Sequence, residues 1–584
     1  MPLNDITIKL AGEAGQGVES SGAGFTKALA RGGLHVFGMP DYMSRIRGGH
    51  NFYVVRASER PLFAYTDPVH VLLAFNQEAI RQHKHEIVPG GGIIFDEGMR
   101  VDRDELAALD VRAFSVPLVK IAEAHGSKIM QNTAAIGATA GLTGYDFDRI
   151  ASVIEDNFRR KGAPVVEANL RVAKEAYDYA ADRYAGDFAW KLKAIGNPRR
   201  MVLNGNQAFC LGAVAAGCKF IAAYPMTPGT SILEWMTAKS KQLGIVTKHM
   251  EDEIGAICAA IGAAHAGVRA MTTTSGGGFS LMVEALGLAG MTETPLVIVE
   301  AQRGGPSTGL PTRTEQSDLE FVIHASHGEF PRIVLAPGTV EECFYEGARA
   351  FNLAEQYQTP VIFLTDLHLA SCLRDVDVDA LDFGKVEIDR GSLLSAEELD
   401  RVVDGYRRHD YAPYGVSPRA LPGHPNAVYV TTGDEHTEEG FITEDAEIRR
   451  KQMEKRMAKQ DAAARTMRGP SWYGPPEADV TLMEWGSTHG AVREAVDMLN
   501  AEGLKVNALH FVDVWPMNEA AVSAELERAR TLIAVEQNYT AQLANVVRQV
   551  TGRKVDGKIL KYDGRPFSSN EIAARVKEEV KAYV

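Results

Sequence analysis

Closely spaced cysteines are missing from this sequence of 584 residues. Its five cysteines are scattered, and no two of them form a C-x-x-C pair: Cys210, Cys218, Cys258, Cys343 and Cys372. Iron–sulfur and structural zinc sites take their thiolate ligands from short spacings, which argues against either kind of site in this chain. We therefore expect small, buried thiol side chains and no metal site.

Long apolar runs are absent as well. No uninterrupted apolar stretch reaches the ~18 residues that a membrane-spanning helix needs. The first residues, MPLNDITIKLAGEAGQG, contain no basic region followed by an apolar core, so no signal peptide is expected. The formal net charge of −14 argues against a nucleic-acid-binding or membrane-binding surface. We expect a cytoplasmic protein.

The standard phosphate-binding motifs are also missing. The turn SGGG at residues 275–278 has no following lysine, so it is not the G-x-x-x-x-G-K-[ST] loop. The turn GEAGQG at residues 12–17 differs from the dinucleotide-binding G-x-G-x-x-G. Each is either a tight turn without a ligand or a place where a ligand or another chain approaches the backbone closely.

Alternating strand and helix patterns are what the sequence does contain. This alternation predicts an α/β protein with several doubly wound parallel-sheet domains, and 584 residues are too many for one core. The pattern divides into segments at residues 1–195, 196–385, 386–475 and 476–584. The third segment is the least regular, and we interpret it as a connecting segment. Its charged helix, predicted at residues 444–468, is expected to present a solvated face.

Three groups of residues are candidates for chemistry. The first is YPMTPGT at residues 224–230, where a predicted strand ends in a turn stiffened by two prolines. Ligands of open α/β sheets sit just beyond the carboxyl ends of strands, so the Thr227 hydroxyl is placed to touch one. The alternative is a rigid strand exit in which Thr227 caps the following helix.

The second group is EDEIGA at residues 251–256. Glu251 and Asp252 suit a helix N-terminus because of the helix dipole. The residues after Glu253 are almost all apolar, which would desolvate its carboxyl group and favour the protonated form. Such a group can hold or share a proton with a heterocyclic nitrogen. The alternative is a third exposed acid in the first helical turn.

The third group begins at Arg303, in RGGPSTGLPTR at residues 303–313. Arg303 follows a predicted strand and is expected at the same sheet edge as Thr227. The planar guanidinium group binds carboxylates in a bidentate manner. Together the two residues suggest a corner that binds a carboxylate. The alternative is a salt bridge from Arg303 to a loop acid.

The order and spacing of these motifs resemble a known family. The series YPMTPGT, EDEIGA, TTTSGGGFSLM and QRGGPSTGLPTRTEQSDL is similar to the α subunits of 2-oxoacid:ferredoxin oxidoreductases. AGEAGQGVESSG followed by SRIRGGHNF resembles the γ-type domain, fused here in front of the α part. The resemblance covers essentially the whole chain. It implies a γ-type domain (1–195), a thiamine-diphosphate pyrimidine-binding domain (196–385), the connecting segment and a transketolase C-terminal-like domain (476–584).

The resemblance also implies a site divided between two chains. This chain would hold the aminopyrimidine end of thiamine diphosphate, and a β subunit would supply the diphosphate and Mg²⁺ site and the 4Fe–4S cluster. The absent cysteine spacing and the absent GDG motif agree with that division. The implied assembly is a dimer of αβ heterodimers that reduces ferredoxin and transfers the acyl group to coenzyme A. In reverse, the same site fixes CO2.

Residue roles follow from the same resemblance. Glu253 would face pyrimidine N1′ and favour the imino tautomer that removes the thiazolium C2 proton. Thr227 and Arg303 would hold the substrate carboxylate, with Arg313 a second candidate. The cofactor pocket would be completed by residues on the two turns: Tyr224, Pro225, Ser275 and Gly276.

The substrate is expected to be 2-oxoglutarate, because residues 306–318 and the fused arrangement look most like the 2-oxoglutarate members, which form succinyl-CoA. A second carboxylate needs a second cation, for which Arg45 and Arg47 are candidates, Arg45 the better one. Alternatives for both are a loop salt bridge or a contact with coenzyme A phosphates. Rival functions are a pyruvate or branched-chain 2-oxoacid enzyme, and a non-catalytic nucleotide-binding partner protein.

Overall fold

The structure, a computed structural model, describes residues 3–45 and 48–581. Contacts divide the chain into two compact units. The first takes in the residues up to Asn204 together with Ser371–Ala380 and Ser568–Asn570. The second takes in Gly205–Ala370, Leu381–Phe567 and the residues from Glu571 onward. The division of the chain at residues 195, 385 and 475 stays a prediction.

The elements between residues 3 and 204 alternate along the chain. The strands are β1 (Asp5–Glu13), β2 (His35–Asp41), β3 (His50–Ser58), β4 (Val69–Ala74), β5 (Ile87–Asp96), β6 (Arg112–Val116) and β7 (Arg200–Leu203). The helices are α1 (Val18–Arg31), α2 (Gln77–His83), α3 (Arg103–Ala108), α4 (Leu118–His125), α5 (Gln131–Thr143), α6 (Phe147–Phe158) and α7 (Ala163–Tyr184).

The alternation continues between residues 205 and 380. The strands are β8 (Phe220–Ala223), β9 (Val246–His249), β10 (Ala270–Thr274), β11 (Leu296–Gln302), β12 (Ile333–Leu335), β13 (Pro360–Asp366) and β14 (Leu373–Asp377). The helices are α8 (Gly205–Ala215), α9 (Thr230–Leu243), α10 (Glu253–His265), α11 (Gly276–Met291), α12 (Leu319–His324), α13 (Val340–Tyr357) and α14 (Leu367–Ser371).

The remaining elements lie between residues 381 and 581. The strands are β15 (Ser471–Tyr473), β16 (Val480–Trp485), β17 (Val506–Phe511), β18 (Asp513–Trp515), β19 (Thr531–Glu536) and β20 (Gly557–Leu560). The helices are α15 (Ala396–Asp400), α16 (Ala446–Thr466), α17 (Thr488–Ala501), α18 (Glu519–Leu526), α19 (Gln542–Thr551) and α20 (Ser569–Lys581).

The first unit contains an eight-stranded sheet in the order β6-β5-β4-β1-β3-β2-β14-β7. The strands from β6 to β1 are parallel, and those from β1 to β7 are antiparallel. Strand β14 comes from a distant part of the chain and was not predicted. Asp375 holds it in place, because its carboxylate accepts a hydrogen bond from Val36 N (2.7 Å) and contacts His35 Nδ1 (2.8 Å).

The second unit contains two sheets. One has seven strands in the order β18-β12-β13-β11-β10-β8-β9, all parallel except β18. The other has five strands in the order β15-β17-β16-β19-β20, all parallel except β15. Every residue of β11 and β13 is buried, as expected for strands covered on both faces. The predicted α/β class with parallel-containing sheets is confirmed.

The connecting segment covers the amino-terminal edge of the seven-stranded sheet with buried ion pairs. Glu293, just before β11, accepts a hydrogen bond from Lys455 Nζ (2.6 Å) and forms an ion pair with Lys459, both on α16. Lys455 and Lys459 are buried. The expectation of a solvated charged face is therefore wrong for this side of α16, because the counter-charge comes from a residue more than 150 positions away.

Arginines fasten the segment at a second point. Glu355 near the end of α13 pairs with Arg269, Arg390 and Arg419 at 2.7–2.8 Å. Arg269 and Arg390 also donate to carbonyls just beyond the ends of α8 and α10, which the helix dipole makes favourable. The amino-terminal edge of the sheet is thus closed by satisfied charges.

Two further expectations can be compared with the structure. None of the five cysteines forms a disulfide, and four of them are buried, but Cys258 is exposed on α10, contrary to expectation. None of the helices that the structure describes combines the length and the apolar character that a membrane crossing demands.

Candidate functional site

Thr227 and Arg303 meet at the carboxyl edge of the seven-stranded sheet. Thr227 lies in the turn after β8, and Arg303 is the first residue after β11. The guanidinium group of Arg303 donates from Nη1 to the main-chain oxygen of Thr227 at 2.9 Å. The cap of α9 is Gly229, without a side-chain hydrogen bond, so Thr227 is not the cap residue. Among the described residues Arg303 forms no salt bridge within 4.0 Å, which leaves its charge available to a ligand.

Glu253 begins α10 at the same edge. Asp252 caps the helix by accepting a hydrogen bond from Gly255 N (2.6 Å), and both Glu251 and Asp252 are exposed. The side chain of Glu253 turns inward instead and is only 3% exposed. Its Oε1 atom is buried without a hydrogen-bond partner among the described residues. The alternative of an exposed acid in the first turn is therefore wrong.

Gly278 of α11 leaves room for the Glu253 carboxyl group because it has no side chain. A Cβ atom at Gly278 would lie 2.5 Å from Glu253 Oε1 and 2.1 Å from Thr274 Oγ1, so glycine is required there. At the neighbouring Gly277 the nearest atom is the Ser307 main-chain oxygen, 3.8 Å away. The close approach that the glycine turn suggested is thus made by the chain's own Glu253 and Thr274.

The other predicted pocket residues lie on the same turns. Ser275 is fully buried at the N-cap of α11, and its hydroxyl has no partner among the described residues. Gly276 follows it and faces the Asp318 carboxylate. Tyr224 is exposed and Pro225 is half-buried. Buried polar atoms are normally paired, so unpaired ones at this edge are consistent with a ligand-binding role.

The predicted cationic residues divide into two sets. Arg313 is half-buried, and its main-chain oxygen accepts a hydrogen bond from Gly304 N (3.2 Å), which brings it back beside Arg303. Arg45 is exposed in the first unit. Arg47 lies outside the described residues. The second unit therefore brings together Glu253, Thr227, Arg303 and Arg313, and the role of Arg45 and Arg47 in substrate specificity stays a prediction.

A second group of acids was missed from the sequence. Glu300 on β11 is fully buried, and neither of its carboxyl oxygens has a partner among the described residues. Burial, together with Asp318 and Asp366, raises the pKa of Glu300 well above its usual range, and Arg303 opposes this shift. Burial also raises the pKa of Asp318 to about 6. The sequence signal that could have revealed this group was the one glutamate inside the mainly apolar strand LVIVEAQ.

Within residues 3–45 and 48–581, two buried groups have the ligand types of a metal site: Glu293 with His409 and His436, and Glu484 with His489 and His510. In the first, lysines already neutralise the carboxylate. In the second, Glu484 contacts both imidazoles at 2.8–3.1 Å, and His510 Nε2 lies 3.1 Å from Glu342. Burial alone would lower the pKa of His510, but the two carboxylates outweigh it and raise the pKa to about 10. Each carboxylate is thus already paired within the chain.

These features define a class of protein. It is an α/β protein with parallel strands, with a buried acid that has no hydrogen-bond partner for one oxygen among the described residues, and with an arginine at the same sheet edge. Three family models match the chain: "Pyruvate flavodoxin/ferredoxin oxidoreductase, thiamine diP-bdg" at residues 211–455, "Pyruvate ferredoxin/flavodoxin oxidoreductase" at 7–179, and "Pyruvate:ferredoxin oxidoreductase core domain II" at 478–572.

Similar proteins agree with these matches. The 2-oxoacid:ferredoxin oxidoreductase subunit alpha of Sulfolobus sp is 33% identical over 96% of this chain and 95% of its own. The 2-oxoglutarate oxidoreductase subunit KorA of Mycobacterium tuberculosis is 30% identical over 98% and 91%. A solved 2-oxoglutarate:ferredoxin oxidoreductase from Magnetococcus marinus matches with a TM-score of 0.91 and 35% identity, covering 99% of this chain and all of that one. The chain belongs to the α subunits of the 2-oxoacid:ferredoxin oxidoreductases and contains their thiamine-diphosphate-binding domain.

Proposed function

We propose that this chain is the α subunit of a 2-oxoglutarate:ferredoxin oxidoreductase. The reaction is oxidative decarboxylation of 2-oxoglutarate with coenzyme A, which gives succinyl-CoA, CO2 and two electrons for ferredoxin, or the reverse. The observation that carries the proposal is the meeting of Glu253, Thr227 and Arg303 at one sheet edge. The choice of substrate is supported by the Magnetococcus marinus structure, which was solved with 2-oxoglutarate, coenzyme A and succinyl-CoA bound.

The residues around Glu253 fit the pyrimidine end of thiamine diphosphate. A buried carboxyl oxygen without a partner needs a donor, and a protonated ring nitrogen is one. Glu253 would share a proton with that nitrogen, while the turns carrying Tyr224, Pro225, Ser275 and Gly276 surround the ring. When bound, thiamine diphosphate supplies the carbon nucleophile and the electron sink for decarboxylation. The chain's own task is to position the ring and hold the proton.

Arg303 and Thr227 would hold the carboxylate next to the 2-oxo group. The hydrogen bond to Thr227 fixes the guanidinium group in place, and its remaining N–H groups can form a bidentate pair with a carboxylate. Arg313 lies close enough along the folded loop to assist. The second carboxylate of 2-oxoglutarate would be bound by Arg45, with Arg47 as the other candidate.

A β-type partner would complete the site. Apolar side chains are exposed next to Glu253: Ile254 on α10 is 53% exposed and Leu281 on α11 is 52% exposed. Exposed apolar side chains on adjacent helices are typical of a surface that another chain covers. Such a partner would bring the site for the diphosphate group and Mg²⁺. It would also bring the 4Fe–4S cluster, because this sequence has no cysteine motif that could bind one.

Coenzyme A would use a cavity of about 620 Å³ in the first unit. The cavity lies beside the glycine turn at Gly15 and Gly17, where α1 begins, and Lys27 and Lys161 line it together with apolar residues of α5 and α6. Phosphates suit a helix N-terminus and lysine side chains. We expect Lys161→Gln to raise the KM for coenzyme A severalfold while the KM for 2-oxoglutarate stays unchanged.

The proposal is tested on the purified complex of this chain with its β-type partner. We expect viologen reduction with 2-oxoglutarate and much slower reduction with pyruvate or branched-chain 2-oxoacids. Equal rates with pyruvate would disprove the choice of substrate. Glu253→Gln is expected to lower kcat by about 10²–10⁴-fold, the usual contribution of a positioned proton-transfer group. The matched control is Glu251→Gln, two residues earlier and exposed, which should keep full activity.

A further inference from the structure

The turn that carries Thr227 is held through its main-chain oxygens by side chains from other elements. Arg303, after β11, donates to the oxygen of Thr227 at 2.9 Å. The next oxygen along the chain, that of Pro228, accepts a hydrogen bond of 3.0 Å from Nδ2 of Asn206 on α8. Two successive carbonyl groups are therefore fixed, one by a residue earlier in the chain and one by a residue later in it.

Strand β10 lies against the next residue of the turn. A Cβ atom at Gly229 would lie 2.7 Å from Thr273 Oγ1 and 3.0 Å from the main-chain oxygen of Thr274. Contacts this short leave no room for the turn to move towards β10. Together with the two hydrogen bonds, this contact fixes the main chain of residues 227–229.

Asn206 is itself held firmly in the second unit. It is only 2% exposed, and its Nδ2 atom also donates to Ser231 Oγ at 2.8 Å. Helix α8 packs so closely against α13 that a Cβ atom at Gly212 would lie 2.0 Å from the Phe344 main-chain oxygen. A carbonyl oxygen can only accept a hydrogen bond, so Asn206 must present its amide nitrogen to Pro228. A closely packed helix thus supplies the donor.

The hydroxyl group of Thr227 remains available to a ligand in this arrangement. The residue is half-buried, and its hydroxyl forms no hydrogen bond with any residue that the structure describes. A β-branched side chain has few rotamers, so a fixed main chain also limits where the hydroxyl can point. A group that is positioned in advance loses less conformational entropy when a ligand binds.

We propose that Asn206 is a positioning residue for the substrate: by fixing the Pro228 carbonyl group, it holds the Thr227 hydroxyl where the carboxylate of the 2-oxoacid binds. The inference rests on the role of Thr227 in the proposed function. Asn206 does not touch the substrate, and it takes part in no chemical step. The carboxylate is contacted before it leaves as CO2, so loss of this contact should raise KM more than it lowers kcat.

The test is steady-state kinetics of the intact complex with 2-oxoglutarate. Asn206→Leu keeps the approximate shape of the amide but donates no hydrogen bond, and Asn206→Ala serves as a second variant if Asn206→Leu folds poorly. Each should raise KM about tenfold, because a buried acceptor loses its donor. A purely structural role would lower the midpoint of thermal unfolding and leave KM as in the wild type. The matched control is Ser231→Ala, at an exposed residue, which keeps the bond to Pro228 and should keep KM near the wild type.

Thr227→Val separates this inference from the proposed function. If Thr227→Val leaves KM unchanged, the proposed role of Thr227 fails and the role of Asn206 fails with it. If Thr227→Val raises KM, adding Asn206→Leu should raise it little further, because both changes remove the same contact. The role of Asn206 alone would be overturned if neither Asn206 variant changed KM, or if the effects of Asn206→Leu and Thr227→Val multiplied in full.

Discussion

Replacing Glu293 by glutamine should loosen the connecting segment from the amino-terminal edge of the seven-stranded sheet. Glu293 is fully buried, and its carboxylate neutralises Lys455 and Lys459 of α16 and contacts His409 Nδ1 at 3.0 Å. The amide of Glu293→Gln keeps the shape but removes the charge. Two ammonium groups would then remain buried against a neutral side chain.

The expected loss of stability depends on whether those lysines keep or release their protons. Removing one member of a buried ion pair costs about 3–5 kcal/mol, because the other charge stays buried without its partner. Burial, opposed by Glu293, lowers the pKa of Lys459 to about 7, so near neutral pH this lysine can release its proton instead. Because Lys459 can release its proton, we expect the free-energy cost to lie at the lower end of this range, about 3 kcal/mol at pH 7–8. The loss should be larger at pH 6, because Lys459 is charged in the wild type there and its ion pair with Glu293 is fully formed.

Hydrogen exchange of the α16 amides measures this loss directly. A cost of 3 kcal/mol corresponds to roughly a hundredfold faster exchange through local opening. The matched control is Glu454→Gln on the same helix, whose exposed pair with Arg450 should be worth at most about 0.5 kcal/mol. Adding Lys459→Met to Glu293→Gln should recover part of the loss. Equal exchange in Glu293→Gln and Glu454→Gln would refute the reasoning.

Two further predictions concern the site and its surroundings. Gly278→Ala places a methyl group against the Glu253 carboxyl group and should lower turnover at least tenfold, whereas Gly277→Ala, with open space, should stay near the wild type in the same viologen assay. The pKa of His510 is raised in the folded state to about 10, so its contribution to stability is present below about pH 6.5 and is lost as the pH rises to about 10. In urea unfolding, the stability of the wild type should therefore fall as the pH rises across this window. His510→Gln should give a flatter profile of stability against pH, because Glu484 has lost its charged partner. A variant profile with the same slope as the wild type would contradict this assignment.

Local pattern was enough to predict the elements that carry the site. The strand predicted at residues 270–274 is β10 at Ala270–Thr274. Thr227 and Arg303 could be placed at one edge because parallel strands all end at the same edge of their sheet. The burial of Glu253 could be inferred from the apolar residues that follow it along α10. These inferences need only neighbouring residues and one rule of sheet geometry.

What the sequence did not reveal depends on partners that are distant along the chain. Strand β14 returns to the first sheet, and β18 adds to the edge of the seven-stranded sheet, without a local signal for either pairing. The lysines of α16 have the periodicity of any charged helix, and their burial becomes visible only with Glu293 beside them. Glu300 was missed for the same reason, because the strands on either side of β11 determine whether its carboxyl oxygens find hydrogen-bond partners.

The two edges of the seven-stranded sheet therefore use charge in opposite ways. At the amino-terminal edge, Glu293 and Glu355 are each paired with several cations, so charge there holds the connecting segment in place. At the carboxyl edge, Glu253 and Glu300 are buried with unpaired oxygens among the described residues, which costs stability. Unpaired groups of this kind are retained where a ligand can satisfy them or where a proton must be held. A stabilised edge opposite a destabilised one is the arrangement expected if the site is completed only when cofactor, substrate and a second chain are bound.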